Sequence, residues 1–286
     1  MKPWIFQLIC LPHRRNPMRN ILIHADQTSA MTGRTETALE IGRRCGSHLH
    51  FLISSPYQHF IASDPFGGIY LAREQLAMAQ MRDAELEKSL SAQLSLNEVP
   101  WDISIAEGMA LSSLSQYASL SDLVIVSLGG RDQRGRAEWT LAADLTMTVP
   151  VPVLALPSES KLIDLDAPIM IAWNGSPQAA KALRSAVPLI RHSQKVVMVQ
   201  IGSDDQGIAA EDALKYLSRH DIHAELRQID ASDDKAADLL TKAAQEIKPG
   251  LIVMGVFGRS MLRETLFGGV TRTLLEESPA PLLLAH

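Results

Sequence analysis

Cysteine is nearly missing from this chain. The two present, Cys10 and Cys45, show no metal-ligand or redox spacing, and free thiols of this kind fit a reducing cytoplasm. Aromatic residues make up 5% and charged residues 21%, against 46% hydrophobic, the balance of an ordinary folded chain. No basic stripe runs along the sequence and the net charge is −5, which argues against a nucleic-acid surface. The apolar stretch Met1–Leu11 is too short to span a bilayer and has no Ala-x-Ala cleavage pattern, so no membrane association is expected. Catalytic signatures are missing as well. There is no Gly-x-x-x-x-Gly-Lys-Ser/Thr loop, no Gly-x-Gly-x-x-Gly after the first strand, no Gly-x-Ser-x-Gly elbow and no His-Glu-x-x-His pair. No catalytic residue or metal ligand is assigned, and any hydrolysis would be slow and incidental.

What is present is repetition. A chain of 286 residues is at the upper limit of one core, and two domains are expected. Residues 1–18 form a tail, 19–158 a first domain and 159–286 a second. In the first, strands are expected at 21–26, 48–54, 101–106, 123–128 and 149–156. Helices are expected at 32–46, with Thr28 or Ser29 as cap, and at 71–96 and 109–120. In the second, strands at 169–174, 196–201, 224–229, 251–254 and 281–285 alternate with helices at 178–190, 211–220, 235–247 and 270–277. Asp122-Leu123-Val124-Ile125-Val126 matches Gly250-Leu251-Ile252-Val253-Met254, and Asp26 at the end of one opening strand matches Asn174 at the end of the other. A period of about 140 residues is a duplicated domain rather than a solenoid. Alternating strands and helices predict a parallel, helix-covered sheet in each half. The last strands carry Pro152 and Pro281, the mark of an edge.

The stretch with most chemical content is Leu251–Val270. A buried apolar strand runs directly into Gly255 and Gly258, and nine residues later comes the pair Gly268-Gly269. Glycines past the end of a parallel strand let backbone approach a ligand and tolerate positive φ. A helix starting there turns its N–H groups and positive dipole end toward the same place, which suits a phosphate.

This motif, with the run Gly268-Gly269-Val270-Thr271-Arg272, resembles the tandem universal stress proteins. The resemblance covers nearly everything from Met18 to His286. It implies an α/β fold of two tandem universal-stress-protein domains, each a five-stranded parallel sheet with helices on both faces, Rossmann-like and akin to the adenine nucleotide alpha hydrolases. It also implies an adenine nucleotide, ATP with Mg2+, as ligand, and an internal pseudo-dimer of the two domains that could pair further into a homodimer. Ala172, Asn174, Met254, Gly255, Gly258, Gly268, Gly269 and Val270 are the residues it places around the nucleotide. Gly269 departs from the family, whose ATP-holding members have Ser or Thr there, and Asn174 stands where the family has Asp. The first half lacks the glycine pair, with Glu138, Trp139 and Leu141 in that region, and reads as a copy that keeps the fold and has lost the site. The Ser-Gly-Gly-x-Asp-Ser loop of the ATP pyrophosphatases, which share this sheet type, is absent.

The local readings have plainer alternatives. Asn174 before Gly175 also suits a turn in which Asn bonds its own backbone. Arg259 and Arg263 could reach a phosphate or be solvated surface residues. His48 and His50 face one side of their strand, with no third metal ligand in view. A scaffold or interaction protein that binds no nucleotide is the competing function.

Overall fold

Leu123-Val124-Ile125-Val126 and Leu251-Ile252-Val253-Met254 have no polar alternation, as strands buried on both faces require. In the computed structural model, which describes residues 18–57, 69–129, 139–158, 162–191, 193–202, 207–230, 235–256 and 269–286, all eight of these residues are buried. The first half contributes β1 (Asn20–Ala25), α1 (Met31–Cys45), β2 (His48–Ser55), α2 (Ile69–Leu94), β3 (Trp101–Glu107), α3 (Ala110–Ala118), β4 (Leu123–Leu128), α4 (Trp139–Thr148) and β5 (Val153–Pro157). The second contributes β6 (Ile169–Trp173), α5 (Pro177–Ile190), β7 (Val196–Ile201), α6 (Ala210–Ser218), β8 (Ala224–Ile229), α7 (Ala236–Ile247), β9 (Leu251–Gly255), α8 (Gly269–Glu277) and β10 (Leu282–Ala285).

The strands form one sheet in the order β3-β2-β1-β4-β5-β10-β9-β6-β7-β8. Within each half every pairing is parallel. The halves join through the antiparallel pair β5–β10, in which Leu282, Leu283 and Leu284 face Ala155, Leu154 and Val153. The proline-bearing last strands, read from sequence as edges, are therefore the centre of a continuous sheet. Each half closes the other's edge, which removes two exposed ladders. Pro152 and Pro281 precede the paired residues and use only their carbonyls, which accept from the amides of Val124 and Ile252.

The two sheet faces carry two cores. One packs Ile23, Phe51, Ile125, Ile171, Met198 and Val253 under α1, α2, α5 and α6. The other packs Leu22, Val124, Val126, Met170, Ile252 and Leu284 under α3, α4, α7 and α8. Met18, which sequence reading gave to the tail, is buried, and its carbonyl accepts from the Ser47 hydroxyl.

Three local details differ from expectation. Helix α4 was not foreseen and occupies positions between the fourth and fifth expected strands to which no element was assigned, and β5 begins at Val153 rather than Val149. Its threonines weaken the helical signal; Thr146 and Thr148 return their hydroxyls to the carbonyls of Ala142 and Asp144, while Ala142, Ala143 and Leu145 enter the core. Helix α1 is capped by neither Thr28 nor Ser29. Its first residue follows Ala30, which makes no side-chain cap. The other ends follow the sequence. Gly46 closes α1 at φ 64°, and the Ser176 hydroxyl accepts the Ala179 N–H at 3.1 Å with Pro177 leading α5. Ser176→Ala is expected to lower stability by about 1 kcal/mol in urea denaturation, the usual cost of losing a cap.

Candidate functional site

From β6 the chain proceeds to β7 and β8 on one side and to β9 and β10 on the other. The carboxyl ends of β6 and β9 therefore flank a switch point, the crevice where open α/β sheets take their ligands. Ala172 of β6 stands opposite Met254 of β9. Asn174 and Gly255 follow them, so four of the eight expected site residues meet at this crevice. Met254 is buried, Ala172 half-buried and Asn174 exposed.

Asn174 forms the turn that its sequence allowed. Its Oδ1 accepts from the Ser176 amide at 3.2 Å and the Ser176 hydroxyl at 2.7 Å, and its side-chain amide nitrogen has no partner among the described residues. Gly175 carries φ +69°, and a Cβ there would come within 3.0 Å of Gly207. The Ile208 amide donates to the Gly175 carbonyl, and Trp173 Nε1 donates to the Ile208 carbonyl. The end of β6 is thus fixed from both sides.

Gly255 has a different reason from the one its motif suggested. Its φ lies outside the left-handed region, and a Cβ on it would stand 2.2 Å from the Ala179 nitrogen and 2.4 Å from the Gln178 carbonyl carbon. The close approach is to the first turn of α5. It seats that turn, with its positive end, against the end of β9. Gly269 opens α8, where a Cβ would meet nothing within 4 Å among the described residues, and Val270 packs half-buried on the core. Gly258 and Gly268 lie outside the described residues, as do Arg259, Arg263 and Glu264.

The first half presents the same crevice between β1 and β4, filled differently. Register places His24 where the second half has Ala172, and Ser127 where it has Gly255. Arg34, eight residues past Asp26, corresponds to Ala182, eight past Asn174. Asp26 Oδ1 accepts from the Thr28 amide at 2.9 Å, from the Thr28 hydroxyl at 2.6 Å and from Arg34 Nη2. Its Oδ2 lies 3.6 Å from His24 Nδ1. Arg34 is 1% exposed and also reaches the Thr28 hydroxyl at 3.2 Å. Burial pushes the Asp26 carboxyl up, but Arg34, His24 and the Thr28 hydrogen bond outweigh it and hold the group below its ordinary value. Sequence reasoning missed Arg34. The available signal was a charged residue three after Met31 and four before Ala38, on the apolar stripe of its helix.

His24 is pushed from 6.5 down to about 4, by burial first and by the Arg34 charge second, against the pull of Asp26. Its folded value lies below its unfolded one, so the unfolded chain binds the extra proton. Its contribution to stability is whole above about pH 6.5 and is lost as pH falls toward 4, by ~3 kcal/mol in all. Urea unfolding at pH 7.5 and 4.5 checks this. His24→Ala should remove that part of the pH dependence.

Elsewhere, His48 and His50 do share a face. His48 Nε2 meets Asp102 at 3.1 Å, and His50 Nε2 meets Ser104 Oγ at 3.0 Å. Among the described residues no group of three or more His, Cys, Asp or Glu is arranged to hold a metal ion, and no helix is long and apolar enough to cross a membrane.

A doubly wound parallel sheet with its crevice at the switch point defines a class of nucleotide-binding α/β protein folds. Residues 167–286 match the Universal stress protein family, so the second half is a universal stress protein domain, and β1–β5 repeat its topology. A universal stress protein from Archaeoglobus fulgidus DSM 4304 has the same fold over 95% of this chain and 98% of its own, with TM-score 0.69 and 12% identity. A protein of unknown function from Pseudomonas aeruginosa PAO1 covers 95% and 93% respectively, with TM-score 0.59 and 13% identity. No curated protein matches the chain in sequence.

Proposed function

We propose that the second half binds an adenine nucleotide, ATP, at the crevice between β6 and β9, and that the chain serves as a cytoplasmic stress-response module rather than a dedicated enzyme. Residues 19–158 and 159–286 act as its two units. The observation that carries this reading is that Ala172 and Met254 pair at the switch point and lead into Gly255 and an exposed Asn174, whose side-chain amide nitrogen has no partner among the described residues. The base and ribose lie by Ala172, Asn174 and Met254. The phosphates lie on the N–H groups of Gly258, Gly268, Gly269 and Val270, at the start of α8. Mg2+ would accompany the phosphates as their counter-ion.

Gly269 gives a test with little demand on packing, because a side chain there meets nothing among the described residues. Gly269→Ser restores a hydroxyl and is expected to tighten ATP about ten-fold, the worth of one hydrogen bond to a charged group. Gly269→Glu places a carboxylate beside the phosphates and should weaken ATP by a similar factor or more. Calorimetric titration of both variants checks this, and equal affinities in the two would refute the placement.

A scaffold role without nucleotide is the second reading. It is favoured by the commitment of Asn174 Oδ1 to Ser176, which leaves that side chain only donors to offer.

A further inference from the structure

The two crevices of the sheet are internal controls for each other. At corresponding positions the second half has Ala172, Asn174, Ala182 and Gly255, and the first has His24, Asp26, Arg34 and Ser127. Three of the four first-half residues are larger, and two of them, His24 and Arg34, meet the strand-end carboxylate. Both oxygens of Asp26 are engaged, Oδ1 by Arg34 and Thr28 and Oδ2 facing His24. Asn174, by contrast, is exposed, and its side-chain amide nitrogen has no partner among the described residues.

Folding alone gives no reason for Arg34. Its Nε is buried with no hydrogen-bond partner, a cost that Ala182 avoids at the same place in the other half. A buried ion pair is weak grounds for stability when an apolar side chain would serve as well.

We propose that Arg34 is a built-in occupant of the first crevice: its guanidinium takes the place beside Asp26 that a nucleoside would need, and so limits the chain to one site. The first half is then closed by an added side chain, beyond the loss of its glycine pair. This rests on the reading that the second half binds its nucleoside beside Asn174.

The test counts adenosine sites on the full chain by equilibrium dialysis. Adenosine carries no phosphate and does not depend on the glycine pair. Asp26→Asn with Arg34→Ala gives the first crevice the Asn and Ala of the second and leaves no charge unpaired. The expected result is one site per chain in the parent protein and two in the double variant, with Arg34→Lys remaining at one. A double variant that melts cooperatively and binds no more than the parent overturns the proposal. If it does not melt cooperatively, adding His24→Ala leaves Ser127 alone different from the second half's set, and that variant decides by the same count. A parent without sites and a variant with one would uphold the role of Arg34 while overturning the second-half site. One site in each would overturn the role of Arg34 alone.

Discussion

Arg34→Ala is expected to cost about 3–5 kcal/mol of unfolding free energy, among the largest effects available in this chain. The loss does not come from the Arg34–Asp26 attraction itself, which desolvation of both groups largely offsets. It comes from what remains: Asp26, 22% exposed, beside His24 and without its cation. Deprived of Arg34, the carboxyl loses the main influence that holds it below its ordinary value and is left with the burial that raises it. The single variant should therefore be more stable at acid pH relative to neutral than the parent is, since protonated Asp26 no longer needs a partner. Asp26→Asn in the same chain should recover part of the loss, and a double-mutant cycle in urea measures how much. Simple additivity of the two substitutions would contradict direct coupling.

The second large effect is at Gly255. Adding a side chain there drives Cβ to 2.2 Å from the Ala179 nitrogen, and the obstructing atoms are helix backbone that cannot turn aside as a side chain can. Gly255→Val should cost about 3 kcal/mol or more, at or above the upper end of overpacking effects. It should also abolish ATP binding, because displacing the first turn of α5 moves Asn174 and Ser176 with it. The contrast with Gly269 is informative. Both glycines belong to one motif, but only Gly255 is required by packing, so Gly269→Ser should leave the melting temperature nearly unchanged. Comparable destabilisation at the two positions would contradict this division.

Much of the architecture could be read from the residues. Buried apolar runs without alternation located the parallel strands, and the paired anchors Asp122–Val126 and Gly250–Met254 gave the duplication. The prolines of the last strands marked them as edges, and the β5–β10 ladder pairs those two edges within the chain. Helix α4 escaped because threonine is a weak helix former and the apolar stretch around Leu145 and Val149 reads equally as strand. Ala172, Asn174, Met254 and Gly255, which the family resemblance grouped together, do lie at one crevice, but the packing role of Gly255 was not foreseen. A glycine that admits a helix and one that admits a ligand look the same in sequence; only tertiary contact separates them. Arg34 was illegible for a related reason. Helical arginines are mostly surface residues, and its burial depends on Asp26 and Thr28, which precede the helix, and on the strand ends that surround them.

The central claim, one adenine nucleotide site per chain in the second half, is tested most directly by what the purified protein carries. Protein prepared without added nucleotide would be denatured and the released small molecules quantified by mass spectrometry. The account predicts ATP or ADP near one equivalent per chain in the parent and none in Gly255→Val. An empty parent protein that also fails to bind millimolar ATP with magnesium would contradict it and leave the scaffold reading in its place.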